Sequence, residues 1–330
     1  MSASASPGER AYDAWRLAIV PWLRERRMRK VQVRREAAQF SARVISAGFV
    51  HSLALRSDGV ASWGAQEDDV DPEDRLDIDF GQAPPDGMDG DFVGVAAGEY
   101  HSLVLRSDGS VACLGINNHG QAPSDGVEGD FIAIAGGAEH SLALRSDGSI
   151  ACWGRNHFGQ APPDGMDGDF VAIAAGDFHS LALRRDGSVA CWGLNNFGQA
   201  PPDGVPGSFV AIAAGGEYSL ALRVDGSVAC WGRNNDGKAP PDGIPGDFVA
   251  IAAGAHHSLA LRRNGSIACW GYNNWNQAPP DGVDGDFVAI AAGHYHSLAL
   301  RRDGNVACWG SNDEGQAPPE GVTGPFGHTV

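Results

Sequence analysis

The chain alternates short apolar runs with glycine-rich turns. Within residues 170–204, FVAIAAGDFHSLALRRDGSVACWGLNNFGQAPPDG, three runs are typical of strands: FVAIAAG, HSLALR and VACWG. In the second run Leu181 and Leu183 face one way while Ser180 and Ala182 face the other, which is the period of a strand. The turn R-x-D-G-S predicts a hairpin between the second and third strands. The Q-A-P-P stretch can supply only a short fourth strand, because proline cannot donate to a ladder.

This segment is one of seven copies. The motif G-x-x-H-S, or G-x-x-Y-S in one copy, starts at Gly48, Gly98, Gly137, Gly176, Gly215, Gly254 and Gly293. Both faces of each predicted strand are apolar or small, so every sheet must be covered on both sides. Sheets stacked around an axis achieve this when large residues of one blade pack against alanine and serine of the next. We therefore predict an all-β fold, a closed seven-bladed β-propeller over residues 42–330, after a short N-terminal helical extension over residues 1–41. An open solenoid is the alternative, but neither terminal copy resembles a polar cap.

Charge divides the chain into a basic start and an acidic body. Residues 1–43 carry a net charge of +6 and the remainder −23, within a total of −17. An acidic body repels phosphate backbones, so we expect no nucleic acid on the propeller and a protein partner, with a basic protein as one candidate. No apolar run reaches the roughly 18 residues of a transmembrane segment. We expect an intracellular monomer, either cytoplasmic or nuclear.

The Arg-rich segment over residues 12–40 has apolar residues near helical spacing and leaves three interpretations open. It can be an organelle transit peptide, a helix that binds a membrane surface or calmodulin, or a helix packed on the propeller. The acidic insert over residues 67–79 favours a solvated loop, with calcium binding as the alternative.

Three residue types recur once per copy, and each is interpreted as structural. Tryptophan is a wedge between blades, because Leu114 fills its place in one copy. Histidine is a hydrogen-bonded core residue, because Tyr218 replaces it in another copy. The six cysteines have no CxxC spacing and favour buried apolar positions. No nucleophile and base set, phosphate loop or HExxH motif is present, so we expect no catalytic residue, no cofactor, no metal and no enzymatic activity.

The pattern G-x-x-H-S-L-A-L-x-x-D-G-x-V-x-x-W-G-x-N-x-x-G-Q, over about residues 42–321, resembles the regulator of chromosome condensation repeat family. The resemblance implies a seven-bladed propeller. It leaves the function open, because relatives include an exchange factor for the Ran GTPase, ubiquitin-ligase subunits, a plant ultraviolet-B photoreceptor and a bacterial β-lactamase inhibitor. The exchange factor uses a wedge-like insertion in a middle blade, whereas the sizeable insertion here lies in blade 1. The photoreceptor has tryptophan directly after the glycine of G-x-x-H, a place that other residues hold here.

Comparison of the copies with one another predicts a binding face. The strands are nearly identical, and the differences concentrate in the pair after the glycine of G-x-x-H and in W-G-x-N-x-x-G. Both sites fall at one end of an up-and-down blade, where aromatic and charged residues are typical of interfaces, although exposed loops also vary freely. The candidate residues are Phe49, Glu99, Tyr100, Asp177, Phe178, Phe158, Phe197, Tyr272, Trp275, His294 and Tyr295. We predict a non-catalytic protein–protein interaction scaffold; the alternative is a guanine-nucleotide exchange factor for a small Ran-like GTPase.

Overall fold

The described part of the chain forms seven antiparallel sheets that surround a central channel. It comprises residues 32, 34–64 and 81–327 of a computed structural model. The acidic insert and its calcium alternative lie outside the described residues. The strands of blades 1 to 3 are β1 (Ile45–Ala47), β2 (His51–Arg56), β3 (Gly59–Gly64) and β4 (Met88–Asp89); β5 (Phe92–Ala97), β6 (His101–Arg106) and β7 (Val111–Gly115); β8 (Phe131–Gly136), β9 (His140–Arg145) and β10 (Ile150–Gly154).

The remaining four blades repeat the same three-stranded unit. Their strands are β11 (Phe170–Ala175), β12 (His179–Arg184) and β13 (Val189–Gly193); β14 (Phe209–Ala214), β15 (Tyr218–Arg223) and β16 (Val228–Gly232); β17 (Phe248–Ala253), β18 (His257–Arg262) and β19 (Ile267–Gly271); β20 (Phe287–Ala292), β21 (His296–Arg301) and β22 (Val306–Gly310). A single 3-10 turn, Asn235–Gly237, follows blade 5. The first strand of each blade lines the channel, so the predicted all-β propeller is confirmed.

The R-x-D-G-S hairpin forms as predicted. In blade 3 the amide of Gly148 donates to the Arg145 carbonyl at 3.0 Å, and the Asp147 carboxylate accepts from the backbone and hydroxyl of Ser149. Gly148 has φ of +90°, a conformation that side chains with a Cβ rarely adopt. The turn itself therefore favours Gly at this place and a side-chain oxygen before it, which Asn264 supplies in blade 6.

The fourth strand is not formed by the Q-A-P-P stretch, and this prediction is corrected. Those residues lie in turns, and the Gly126 amide donates to the Pro123 carbonyl at 2.9 Å to reverse the chain. Only after this reversal does Val127 exchange two backbone hydrogen bonds with Val111, each 2.9 Å long. Proline cannot make such a pair, so the outer position passes to the first suitable residue beyond the turn.

Histidine and tryptophan join each blade to its neighbour. Nε2 of His140 lies 2.9 Å from Oγ of Ser180, and the Ser180 hydroxyl donates to the Gln160 carbonyl at 2.9 Å. The indole Nε1 of Trp192 donates to the same carbonyl at 2.9 Å. The serine hydroxyl has one proton, which it donates to the carbonyl. The serine oxygen must therefore accept from the histidine, so the histidine proton resides on Nε2. Both residues have the structural role that the repeat predicted.

Large residues of one blade pack against small residues of the next. Leu142 and Leu144 of blade 3 share a buried cluster with Ala182 and Ala190 of blade 4. Close packing of this kind excludes water from both faces of each sheet. It explains why the repeat alternates leucine with alanine and serine.

The last blade contacts the first one in the same way. Oγ of Ser52 lies 2.9 Å from Nε2 of His296 and donates to the Gln316 carbonyl at 3.0 Å. Trp63 also donates to that carbonyl at 3.0 Å. The ring is therefore closed by the same set of bonds that joins blades 3 and 4.

A helix over residues 34–44, named α1, lies across the end of the channel at the R-x-D-G turns. The guanidinium of Arg34 is 3% exposed, donates to the carbonyls of Val224 and Phe248 at 2.7 and 3.0 Å, and pairs with Asp247. Ser41 bonds both the amide and the carbonyl of Ile290. The described part of the N-terminal extension is thus packed on the propeller, and within the described residues no helix is long and apolar enough to cross a membrane. The transit-peptide interpretation and the membrane-surface or calmodulin interpretation of residues 12–40 depend on residues 12–31, which lie outside the described part.

Candidate binding face

In blades 2 to 7 the two variable sites of a copy are held together by a backbone hydrogen bond. The backbone amide of the residue after Trp-Gly donates to the backbone carbonyl of the second residue after the glycine of G-x-x-H. Arg155 donates in this way to Glu139, and Leu194 to Phe178, both at 2.8 Å. We call this end of the propeller the loop face, and the end with the R-x-D-G turns the turn face. The predicted grouping of the two sites on one face is confirmed as a matter of geometry.

The repeated polar residues of W-G-x-N-x-x-G-Q brace the loop that presents the variable ones. In blade 3, Oδ1 of Asn156 accepts from the Ala161 amide and Oε1 of Gln160 accepts from the Phe158 amide, both at 2.9 Å. The Phe158 side chain is left 46% exposed. The equivalent Phe197 and Trp275 are 45% and 49% exposed. Exposed aromatic side chains therefore stand on rigid loops, which lowers the entropy cost of binding through them.

Aromatic rings from four blades form one cluster on the loop face. The ring of Phe49 lies 4.7 Å from His294, 5.4 Å from Tyr100 and 6.1 Å from Tyr295, measured between centroids. Tyr272 lies 6.3 Å from Tyr295. Blades 1, 2, 6 and 7 thus contribute to a single surface, which we call the aromatic cluster.

The opposite half of the loop face combines aromatic and ionic contacts. Phe158 and Phe178 meet edge to face with centroids 5.8 Å apart. The Arg233 guanidinium lies 4.9 Å from the centroid of Phe197 and forms an ion pair with Glu217. These residues of blades 3 to 5 are not part of the aromatic cluster, so the candidate set divides into two groups.

The first residue after the glycine of G-x-x-H surrounds the mouth of the channel. Glu99, Asp177 and His294 occupy this place in blades 2, 4 and 7 and line a cavity of about 200 Å³. Oδ1 of Asp177 lies 3.9 Å from Nε2 of His294. Burial raises the pKa of Glu99 to about 7 and that of Asp177 to about 6, and lowers the pKa of His294 to about 4. At neutral pH the imidazole is uncharged and does not neutralise Asp177.

Comparison with known families gives the repeat its identity. The profile described as Regulator of chromosome condensation (RCC1) repeat matches six segments: residues 92–121, 131–160, 170–199, 209–238, 248–277 and 287–316. They cover more than half of the chain. The chain belongs to this family. No curated protein sequence matches it at a significant level.

Solved structures share the fold of this RCC1-repeat protein at low identity. The CRINKLY ectodomain of the Arabidopsis thaliana receptor kinase ACR4 is 24% identical with a TM-score of 0.63, covering 84% of this chain and 98% of its own. Human WBSCR16 is 21% identical with a TM-score of 0.63, covering 78% of this chain and 85% of its own. Prp20p of Saccharomyces cerevisiae is 19% identical with a TM-score of 0.62 and covers 88% of both chains. At these identities the similarity establishes the fold.

The candidate set from the sequence omitted three residues of the loop face. His256 stacks on the aromatic cluster with its ring 5.3 Å from Tyr295. Glu139 forms an ion pair with an arginine, as does Glu217. The sequence does contain a signal for the two glutamates. Glutamate is the second residue after the glycine of G-x-x-H only in the two copies in which arginine follows Trp-Gly.

The histidine and cysteine sites of this RCC1-repeat chain are buried and electrostatically inert. Burial lowers the pKa of the six ring histidines to between about 3 and about 4. Burial also raises the pKa of the cysteines, to about 11 for Cys113 and about 12 for the others. Thiols that stay protonated at neutral pH are poor nucleophiles and poor metal ligands.

Proposed function

We propose that this RCC1-repeat protein is a non-catalytic scaffold that binds a protein partner through its loop face. The observation that supports this most is the contrast between nearly identical strands and a loop face with exposed aromatic side chains. Aromatic residues dominate the binding energy of protein interfaces, and rigid loops present them here at little entropic cost.

Charge and the solved relatives support the same proposal. The net charge of −17 favours association with a basic partner through long-range attraction. Among proteins of this fold, yeast Prp20 has been described bound to Kap60 and for its binding to Gsp1p and histones. We infer that a protein partner fits this chain better than a small substrate.

Site-specific photocrosslinking tests the proposal. A photoreactive amino acid at position 158, 197 or 275 should capture a defined partner from a lysate of the source organism. The matched control is position 132 on the turn face, because Ile132 is 49% exposed, the same as Trp275.

The purified partner then allows affinities to be measured. Alanine at Tyr100, Phe178 or Trp275 should weaken binding by about 2 kcal/mol where the residue anchors the partner. Ile132→Ala should leave binding unchanged. Loss of binding in Ile132→Ala together with full binding in the loop-face variants would place the interface on the other face. Accelerated release of labelled GDP from a Ran-like GTPase would instead favour the exchange-factor alternative.

A further inference from the structure

The loop-face mouth of the central channel combines an apolar tube with carboxylates at its rim. The tube is lined by alanine, isoleucine and glycine of the inner strands, and its volume of about 200 Å³ far exceeds the roughly 10–15 Å³ that one water needs. The ionisable side chains that line it are Glu99, Asp177 and His294, all at the mouth. Phe49 directly follows Gly48 of the lining, and its ring lies 4.7 Å from that of His294.

Within the described part of the chain, neither carboxylate at this mouth contacts a charged cation. The Asp177 side chain lines the channel and is 28% exposed. The nearest basic group, Nε2 of His294, is 3.9 Å away and uncharged at neutral pH. The charges that act on Glu99 are the carboxylates of Asp177 and Glu139. Among the described residues, neither Glu99 nor Asp177 accepts a side-chain hydrogen bond.

Two basic side chains lie close to the mouth: Lys238, which contacts other groups, and His256, which is weakly charged. The Lys238 ammonium donates to the Ala255 carbonyl at 3.3 Å and lies 5.4 Å from the centroid of the Tyr218 ring. Burial and the charge of Lys238 lower the pKa of His256. Lys238 and His256 therefore attract Asp177 through space but do not contact it.

Two neighbouring glutamates are each neutralised by an arginine of the same blade. Glu139 pairs with Arg155, and Glu217 pairs with Arg233, because arginine follows Trp-Gly in those copies. In the two copies that carry the mouth carboxylates, the same place holds isoleucine and leucine. The mouth therefore differs from its surroundings by the absence of a built-in guanidinium.

We propose that the channel mouth binds the cationic end of a lysine or arginine side chain that a protein partner presents. The ammonium or guanidinium lies between Glu99 and Asp177, and its aliphatic stem packs against Phe49. Charge-assisted hydrogen bonds of this kind are about twice as strong as neutral ones. The inference rests on the proposed function, because it specifies which chemistry the loop face recognises.

Short peptides of defined sequence test the site without knowledge of the partner. The probes are acetylated, amidated pentapeptides with lysine, arginine or norleucine between glycines. They are titrated into the isotope-labelled full chain at about pH 8, where Glu99 is ionised. The lysine or the arginine peptide should cause saturable shifts of the Glu99, Asp177 and His294 amides, and the norleucine peptide should not. The stronger of the two cationic peptides identifies the preferred side chain.

Variants locate the binding energy at the mouth. Glu99→Gln combined with Asp177→Asn should weaken binding of the cationic peptide at least about tenfold, since a hydrogen bond to a charged group contributes about 1.5–3 kcal/mol. Asp147→Asn combined with Asp186→Asn removes two carboxylates on the turn face, where Asn264 fills the same place in blade 6, so it should change the affinity by less than about twofold. Each variant is first shown to unfold cooperatively.

Three results would overturn the cation site: equal binding of the norleucine peptide, equal loss in Asp147→Asn with Asp186→Asn, or no saturable shift with any peptide. Its failure is separable from that of the proposed function. Loss of partner binding in the loop-face aromatic variants without peptide binding leaves the scaffold and removes the cation site. Peptide binding at the mouth together with unchanged partner binding in those variants supports the cation site and contradicts the scaffold proposal.

Discussion

At the scale of single residues, blade 5 departs from the repeat at two positions that contact each other. Tyr218 replaces the ring histidine, and Lys238 replaces the glutamine of G-Q-A-P. The tyrosine hydroxyl keeps the link to the next blade, since it accepts from Ser258 at 2.9 Å and donates to the His257 carbonyl at 2.5 Å. Its ring also offers an aromatic face to Lys238, whose pKa burial lowers. The two departures compensate for each other.

We expect Tyr218→His alone to destabilise the protein by about 1–3 kcal/mol, because Lys238 loses its aromatic face and a void remains. Tyr218→His with Lys238→Gln restores the repeat and should recover part of that loss. Urea unfolding of the two single variants and the double variant gives the coupling energy, which should exceed about 0.5 kcal/mol. Strictly additive effects would show that the contact between the two side chains contributes nothing.

The tryptophan wedge should be among the most costly side chains to remove. Trp192→Ala deletes a side chain that packs between blades 4 and 3 and donates to the Gln160 carbonyl, so it should cost about 3–5 kcal/mol. Trp192→Leu is the matched control, because Leu114 occupies this place in blade 2, and it should cost clearly less. Chemical denaturation measures both. A loss below about 1 kcal/mol for the alanine variant would mean that the indole does not pack between the blades.

At the scale of elements, helix α1 depends on one buried cation. Arg34→Ala removes the ion pair with Asp247 and the bonds to three blade carbonyls, and truncating one partner of such a network is strongly destabilising. We expect amides of residues 34–44 to lose hydrogen-exchange protection while the strands keep theirs.

Arg35→Ala is the matched control for this variant. Arg35 makes one long contact, 3.5 Å to the Arg185 carbonyl, so its loss should leave the protection of α1 unchanged. Full protection of residues 34–44 in Arg34→Ala would show that the helix is held by its apolar contacts alone.

Elements differ in how far the sequence predicts them. Three strands per blade were predictable because period-two alternation and the D-G turn are local signals. The residue that pairs with the outer edge of the third strand was not predictable. Val127 pairs with Val111 only after a proline turn, which the hydrophobic pattern does not reveal. The shared face of the candidate residues followed from topology, yet the approach of Asp177 to His294 did not. These residues come from blades 4 and 7, and their distance depends on how narrow a channel the inner alanine and glycine residues allow.

At the scale of the whole molecule, the histidine ring predicts how stability depends on pH. Each ring histidine has its pKa lowered from 6.5 to about 3 or about 4 in the folded protein. The unfolded chain therefore binds more protons below pH 6.5, and stability should fall as the pH falls from about 6.5 to about 4. Urea midpoints across this range measure the effect.

The mouth carboxylates act in the opposite direction. The pKa values of Glu99 and Asp177 are raised to about 7 and about 6, so their protonation stabilises the folded state as the pH falls through that range. Two groups oppose six, so the net trend remains a loss of stability. Glu99→Gln with Asp177→Asn should steepen it. A stability that stays flat from pH 6.5 to 4.5 would contradict neutral, buried histidines.

We expect closure of the ring to make the described blades one cooperative unit. A chain ending at Gly282 lacks blade 7 and with it the Gln316 carbonyl that accepts from Ser52 and Trp63. It also removes Phe326, whose ring packs 6.4 Å from that of Trp63, and leaves the leucine face of blade 6 and the alanine face of blade 1 exposed to water. Since about 25 cal/mol is lost for each Å² of apolar surface left uncovered, the remaining six blades should aggregate or unfold without a sharp transition. Removal of residues 328–330 alone is the control and should leave the unfolding curve unchanged. Circular dichroism and calorimetry measure the outcome, and a soluble fragment with the transition of the full chain would show that the blades are stable without a closed ring.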